Sequence, residues 1–159
     1  MIRGIHHVAI STGDLERALR FYRDLLGFEV AMRFDWERGT QMADDITALE
    51  DSSAKSTMLR AGNAYVELFE YTSPTPRPGD PERPVCDHGI THLCLDVTDL
   101  DGLYDRLVAA GMRFHCPPQD AGDGIRTTYG RDPDGNVVEL QEIRDETSAM
   151  SLSRAGAPR

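Results

Sequence analysis

Two stretches of the chain repeat the same residue types at nearly the same intervals, and this internal duplication strongly limits the folds open to the chain. The first stretch begins at His7 and the second at His92, and in each an aspartate follows seven residues later, at Asp14 and Asp99. A helical pattern that ends in glycine comes next in both, and a Val-Glu-Leu triplet comes last, at 66–68 and 138–140. We therefore expect two similar halves.

Hydrophobic periodicity predicts the same order of elements in each half: a strand, a helix and then three strands. In the first half, Ile5–Ser11 alternates as a strand, Asp14 offers a helix N-cap and Gly27 ends the helix. In the second half, residues 90–97 form the corresponding strand and Gly111 ends the helix. The predicted fold class is therefore α+β, with two βαβββ modules paired into a curved, cup-like sheet that encloses the functional site.

Composition along the chain predicts the module boundaries. Residues 1–72 form the first module, 73–88 a linker, 89–144 the second module and 145–159 a flexible tail. The linker is predicted from five prolines within residues 72–84, because proline-rich segments are stiff and extended. Residues 35–55 are longer than a usual hairpin connection, and we expect them to form a lid, an interface or a plain loop.

Charge and composition argue against several classes of protein. The formal net charge of −10, from 27 acidic and 17 basic residues, is wrong for binding nucleic acid or an anionic membrane surface. The sequence has no membrane-length apolar run and no export signal at its start. Its three cysteines lack CxxC spacing, which indicates reduced thiols. We expect a cytoplasmic protein with a small-molecule substrate and no nucleic-acid or membrane partner.

Strand alternation places one histidine and one glutamate of each half opposite an aliphatic face that suits packing against helices. These residues are His7 and Glu67 in the first half and His92 and Glu139 in the second. His6 points the other way and is expected to face the core or the helix. A buried glutamate is costly unless it is paired, protonated or bound to a metal. A solvent-facing position would explain any one of the four, but their repeated spacing favours a shared metal site.

The same motifs resemble the vicinal oxygen chelate superfamily, which includes glyoxalase I, methylmalonyl-CoA epimerase, extradiol dioxygenases and bleomycin-type resistance proteins. The resemblance extends over most of the chain, from residue 2 to residue 144. It rests on His7-Val-Ala-Ile with Asp14-Leu, Tyr65-Val-Glu67-Leu-Phe, His92-Leu-Cys-Leu with Asp99-Leu, and Asp132-Pro-Asp-Gly-Asn-Val-Val-Glu139-Leu. In the family, four such positions bind one divalent ion from the concave faces of the paired modules.

The resemblance therefore implies one divalent transition metal per site (Zn, Ni, Co, Mn or Fe), with His7, Glu67, His92 and Glu139 as its ligands. It also implies a homodimer, because family members commonly dimerise. Two imidazoles and two carboxylates suit a first-row divalent ion. Four protein ligands leave two octahedral positions for vicinal oxygens of a substrate, which the cation would polarise.

The family's isomerases use ligand carboxylates to move a proton, so the resemblance makes Glu139 and Glu67 the candidate catalytic residues. A glutamate that loosens from the metal in a dry pocket is a base whose pKa can rise toward the working pH. The predicted function is a divalent-metal-dependent, glyoxalase-like isomerase or lyase. The basic residue expected to bind glutathione after the first ligand is missing, since Ser11-Thr12-Gly13 occupies that stretch.

Two alternatives stay open. An extradiol-type ring-cleaving dioxygenase resembles a site with two histidines and one carboxylate on Fe(II), and Glu67 as a fourth ligand argues against it. A non-catalytic antibiotic-binding resistance protein of the same fold would hold a flat ligand between aromatic residues. The candidates for that role are Trp36, Tyr65, Phe69 and Tyr71.

Several further side chains near the predicted site strands have candidate roles. Tyr129 is a candidate donor to a substrate oxygen, although core packing is the more expected role. His88 and His115 are expected at the surface, and Cys94 at the wall of the pocket. The candidate cations for a substrate carboxylate are Arg60, Arg126 and Arg131, although solvated surface charges are the more expected role.

Overall fold

The computed structural model describes residues 1–152, and the chain divides after Gly79 into two units, each with its own sheet. The division falls within the predicted linker 73–88. Of the predicted tail 145–159, residues 153–159 lie outside the described residues.

The first unit carries four strands and two α-helices. Its sheet has the order β1-β4-β3-β2, in which β1 and β4 are parallel and the other neighbours antiparallel. A π-helical segment, Arg20–Leu25, continues the first helix. The elements are β1 (His7–Ser11), α1 (Leu15–Leu19), β2 (Glu29–Trp36), α2 (Gln41–Thr47), β3 (Ser53–Ala61) and β4 (Ala64–Ser73).

The second unit repeats the plan with one additional strand. Its sheet has the order β5-β9-β8-β6, with β5 parallel to β9, and β7 also pairs with β8. The predicted α+β class is confirmed, but β7 was not predicted because all four of its residues are exposed and give no alternating apolar signal. The elements are β5 (Leu93–Asp96), α3 (Leu100–Ala109), β6 (Arg113–Phe114), β7 (Gln119–Gly122), β8 (Ile125–Arg131) and β9 (Val137–Ile143).

In both units the strand that carries the predicted glutamate ligand also binds the N-terminus of the helix. Glu70 in β4 accepts a hydrogen bond from the backbone N–H of Leu15 at 2.8 Å. Glu142 in β9 accepts one from the N–H of Leu100 at 3.4 Å. A carboxylate at a helix N-terminus satisfies an otherwise unpaired donor and complements the helix dipole. In the repeated Glu-Leu-X-Glu sequence, the second glutamate therefore binds the helix on one face of the sheet. The first glutamate lies on the opposite face.

The aliphatic side of each sheet forms the core of its unit, as alternation predicted. Val66 and Leu68 of β4 are 2% and 0% exposed, and Val138 and Leu140 of β9 are both 0% exposed. None of the helices in the described part of the chain is long and apolar enough to cross a membrane.

Candidate metal-binding residues

The first unit brings together His7 and Glu67. Strands β1 and β4 run parallel with Ala9 opposite Glu67, which places His7 at the start of β1 near the carboxylate. The Nε2 atom of His7 lies 3.3 Å from Oε2 of Glu67, and its Nδ1 lies 2.9 Å from Nδ1 of His6. Glu67 is only 7% exposed, so this carboxylate has little water around it.

The second unit repeats the pair with His92 and Glu139. His92 immediately precedes β5 rather than lying inside the strand, and its Nε2 lies 2.9 Å from Oε2 of Glu139. Its Nδ1 lies 2.8 Å from the hydroxyl of Thr91. Glu139 is 8% exposed. Each pair therefore presents one imidazole Nε2 and one carboxylate oxygen to the same place.

A ring of polar side chains surrounds Glu139. The hydroxyl of Thr127 donates to Oε1 of Glu139 at 2.6 Å. Cys94 and Tyr129 are the cross-strand neighbours of Glu139 on either side. Partial burial, followed by the charge and hydrogen bond of Glu139, raises the pKa of Cys94 to about 12. Burial and then the charge of Glu139 also raise the pKa of Tyr129, whose ring lies 4.9 Å from that of His92.

Aromatic side chains lie near Glu67 instead. Phe69, two residues along β4, has its ring centroid 6.3, 5.9 and 5.7 Å from those of Phe34, Trp36 and Tyr71. Burial and then the charge of Glu67 raise the pKa of Tyr71. The surroundings of the two glutamates therefore differ, although their strands and their histidine partners correspond.

The structure brings the four predicted ligands together as two pairs, one in each unit. Among residues 1–152, no three histidine, cysteine, aspartate or glutamate side chains are grouped closely enough to hold one ion. The donor types fit a divalent first-row ion. In both histidines Nδ1 already has a polar neighbour, which is how ligating imidazoles are usually oriented. Each unit thus offers a fitting half-site, and binding of one ion by all four residues stays a prediction.

Sequence patterns missed Thr127 and misplaced His6. Thr127 lies two residues from Tyr129 on β8, and Tyr129 pairs with Glu139, so alternation puts both on the face of Glu139. This alternation is the sequence signal that could have identified Thr127. The expectation that His6 faces the core or helix is wrong, since it is exposed. Its ring stacks on Tyr65 at 5.0 Å, whereas Tyr65 was grouped with the aromatic residues near Trp36.

The remaining candidate side chains have other partners or remain at the surface. Arg126 forms a bidentate ion pair with Asp101, in which Nη2 of Arg126 lies 2.9 Å from Oδ1 of Asp101. Arg131 donates to the carbonyls of Gly135 and Arg83 at 2.8 and 2.9 Å. His88 and His115 are exposed, as expected.

Residues 4–140 match the family model described as the Glyoxalase/Bleomycin resistance protein/Dioxygenase superfamily. The chain therefore belongs to this superfamily, and the predicted resemblance is confirmed. The match includes all four residues of the two half-sites.

Three similar proteins illustrate the relationship. The 2-epi-5-epi-valiolone epimerase of an Actinomyces species is 32% identical over 86% of this chain and 77% of its own. The ethylmalonyl-CoA/methylmalonyl-CoA epimerase of Cereibacter sphaeroides is 29% identical over 90% of this chain and 100% of its own. The crystal structure of a glyoxalase family protein from Bacillus cereus has a TM-score of 0.81 at 22% identity, covering 89% of this chain and 95% of that one. This last similarity is one of fold.

Proposed function

We propose that the protein is a divalent-metal-dependent isomerase or lyase of the glyoxalase type. It would act on a small substrate that chelates the metal through vicinal oxygens, and a ligand glutamate would transfer the proton. The observation that carries this proposal is the histidine–glutamate pair repeated in both units, at 3.3 and 2.9 Å. Two relatives with epimerase names support proton transfer at carbon, because an epimerase inverts a stereocentre.

His7, Glu67, His92 and Glu139 would hold the ion, which is zinc, nickel, cobalt, manganese or iron. When bound, a divalent ion polarises substrate oxygens and stabilises negative charge as it develops on them. The four side chains supply the nitrogen and oxygen donors that such an ion prefers.

The carboxylates would perform the proton transfer. A C–H bond next to a substrate carbonyl breaks, its electron pair moves toward the carbonyl oxygen, and the proton passes to a carboxylate oxygen of Glu67 or Glu139. The proton then returns to the opposite face or to a neighbouring carbon, so that no oxidant or reductant is needed. Both carboxylates are more than nine-tenths buried, so little water competes with the substrate for a position beside them.

Metal analysis of the purified protein tests the proposal. We expect about one transition-metal ion per four-ligand site, lost in His92→Ala and kept in His88→Ala, an exposed histidine outside both pairs. Circular dichroism establishes that both variants are folded. A folded wild type that takes up no divalent ion during reconstitution would contradict the proposal.

Exchange of deuterium from D₂O tests the chemistry. The substrates named by the relatives, methylmalonyl-CoA, ethylmalonyl-CoA and 2-epi-5-epi-valiolone, form the first panel. Mass spectrometry should show deuterium entering at one carbon of a panel member with metal-loaded protein and not after chelation. Iron in the purified protein, with ring cleavage of a catechol and no exchange, would favour the dioxygenase instead.

The aromatic cluster gives the non-catalytic binding protein a specific observation in its favour. Phe34, Trp36, Phe69 and Tyr71 are only partly buried and contact one another beside Glu67. Such a cluster can hold a flat apolar group by stacking. Binding of a flat antibiotic that quenches Trp36 fluorescence equally with and without metal, in a protein that exchanges no deuterium, would favour this function.

We also propose a homodimer in the cytoplasm. Strand β2 lies at the edge of the first sheet and exposes Val30 and Met32, which are 42% and 55% exposed. An uncovered apolar edge favours pairing with another chain, which supports the homodimer. All three cysteines are free, which supports the cytoplasmic location. Light scattering should give twice the chain mass for the wild type and a shift toward monomer for Met32→Glu; a monomeric wild type would contradict the dimer.

A further inference from the structure

We propose that the two glutamates have unequal roles: the hydroxyl of Thr127 fixes Glu139 as a permanent metal ligand, and Glu67 is the exchangeable one. This inference rests on the proposed function, because it takes both carboxylates to be ligands of one ion. Thr127 is then a positioning residue that acts through Glu139.

Both carboxylate oxygens of Glu139 have partners. Oε2 lies 2.9 Å from Nε2 of His92, and Oε1 accepts from Thr127 at 2.6 Å. The same hydroxyl lies 3.1 Å from the carbonyl of Leu140, but it has one proton to donate. The shorter contact, to the charged acceptor, takes that proton, because hydrogen bonds to ionised groups are shorter and stronger.

The carboxylate of Glu67 lacks a second partner of this kind. Within the described residues 1–152, His7 at 3.3 Å is its only hydrogen-bond or ion-pair partner. The strand pairing explains how the halves differ. Thr127 lies opposite Gln141, two residues after Glu139, and the residue at the same place in the first unit is Ser56, opposite Phe69.

Ser56 carries a hydroxyl but does not use it on the carboxylate. Its Oγ is buried and has no hydrogen-bond partner, and the residue is 1% exposed. Serine is one methyl group smaller than threonine, and its cross-strand neighbours on the two sides are the aromatic residues Phe34 and Phe69. The first unit thus has the hydroxyl at the corresponding register position without the hydrogen bond.

The energetic consequence follows from how outer-shell hydrogen bonds act on ligands. With an ion bound, the imidazole Nε2 atoms would bind the metal instead of the carboxylates, so Glu139 would be held by the ion and by Thr127 at Oε1. Glu67 would be held by the ion alone, free to turn about its side-chain torsions and to leave the ion more easily. Loss of such an outer-shell partner typically weakens metal binding by about 10- to 100-fold. Thr127 should therefore contribute to metal affinity through Glu139, and Ser56 should contribute nothing.

Titration with Co²⁺ alone, followed by its visible absorption and by calorimetry, tests the inference in the apoprotein. Thr127→Val removes the donor while keeping the shape, and we expect Co²⁺ affinity to fall by about 10-fold or more. Thr127→Ser should restore near-wild-type affinity and the wild-type absorption spectrum. Ser56→Ala is the matched control at the corresponding position and should bind Co²⁺ like the wild type.

A second comparison does not depend on Thr127 variants folding. Glu139→Gln should weaken Co²⁺ binding more than Glu67→Gln does, by about 10-fold or more, with circular dichroism confirming that both are folded. Equal losses in these two variants, or a folded Thr127→Val that binds like the wild type, would overturn the inference and leave the proposed function standing. A wild type that binds no Co²⁺ would instead overturn the proposed function.

Discussion

The imidazole of His92 and the carboxylate of Glu139 face each other across 2.9 Å, from Nε2 to Oε2, although the two residues are far apart in the chain. The corresponding pair in the first unit, His7 and Glu67, has the same atoms 3.3 Å apart. Both carboxylates are largely withdrawn from water, which is costly for a charge unless a cation compensates it. This cost is the physical basis for expecting that metal binding and stability are linked.

Saturation with a divalent ion should raise the melting temperature of the wild type. A ligand that binds only the folded state at 100 times its dissociation constant adds about 2.7 kcal/mol. For a chain of this length that corresponds to a rise of about 5–10 °C. Calorimetric melting with Co²⁺ or Zn²⁺ checks the rise, and Glu139→Gln should show a much smaller one. An equal rise in the variant would point to binding elsewhere.

Metal-loaded Glu67→Gln should lose deuterium exchange on the panel substrate that the wild type accepts. The amide keeps an oxygen donor but cannot accept the substrate proton, and losing a general base typically costs about 10²-fold or more in rate. The measurement is kcat and KM for exchange, with metal content determined in the same sample. Deuterium exchange at the wild-type rate in this variant would show that a group other than Glu67 transfers the proton.

Cys94 should react with iodoacetamide far more slowly than Cys86 or Cys116. All three are exposed as residues, but partial burial and the charge of Glu139 raise the pKa of Cys94 to about 12. Since the thiolate is the reactive form, a pKa of about 12 leaves Cys94 with far less thiolate at pH 8 than an ordinary cysteine has. Peptide mapping at timed intervals measures the three rates, and Glu139→Gln should accelerate Cys94. Equal rates at all three cysteines would contradict the expectation.

Asp44 should make the environment of Trp36 sensitive to acid. Hydrogen bonds from the side chain and backbone of Ser52, and from the backbone of Asp51, lower the pKa of Asp44. Trp36 in turn donates its ring N–H to the hydroxyl of Ser52 at 3.0 Å. Because the folded pKa lies below the unfolded one, this contribution is present above the ordinary aspartate pKa of about 4 and is lost as pH falls through the folded value.

Trp36 is the single tryptophan of the chain, so its fluorescence reports on this segment directly. We expect a fluorescence transition in the wild type below about pH 4, before global unfolding is seen by circular dichroism. Asp44→Asn should show the acid-like fluorescence already at neutral pH, whereas Asp45→Asn, which alters the adjacent carboxylate on the same helix, should resemble the wild type. A wild-type fluorescence that changes only with global unfolding would argue against a link from Asp44 through Ser52 to Trp36.

Much of the fold was predictable because its signals are local and occur twice. Asp14 and Asp99 accept hydrogen bonds from the backbone N–H groups three residues later, at 2.9 and 3.3 Å, as N-caps do. The hairpin of β3 and β4 turns at Gly62, a residue type that turns favour. Helix α2 lies within residues 35–55, for which a lid, an interface or a plain loop was expected. Strand β7 and the position of His92 just ahead of β5 were not predictable, because neither depends on hydrophobic alternation.

The sequence by itself determined most of the order of the elements and the two histidine–glutamate pairs, because alternation along a strand decides which side chains share a face. Only the tertiary structure decided that the two glutamates are not equivalent. Thr127 and Ser56 both carry hydroxyls at corresponding register positions, yet one donates to its glutamate and the other has no partner. Residue type and spacing do not contain that difference, which is set by how the neighbouring strands and side chains pack.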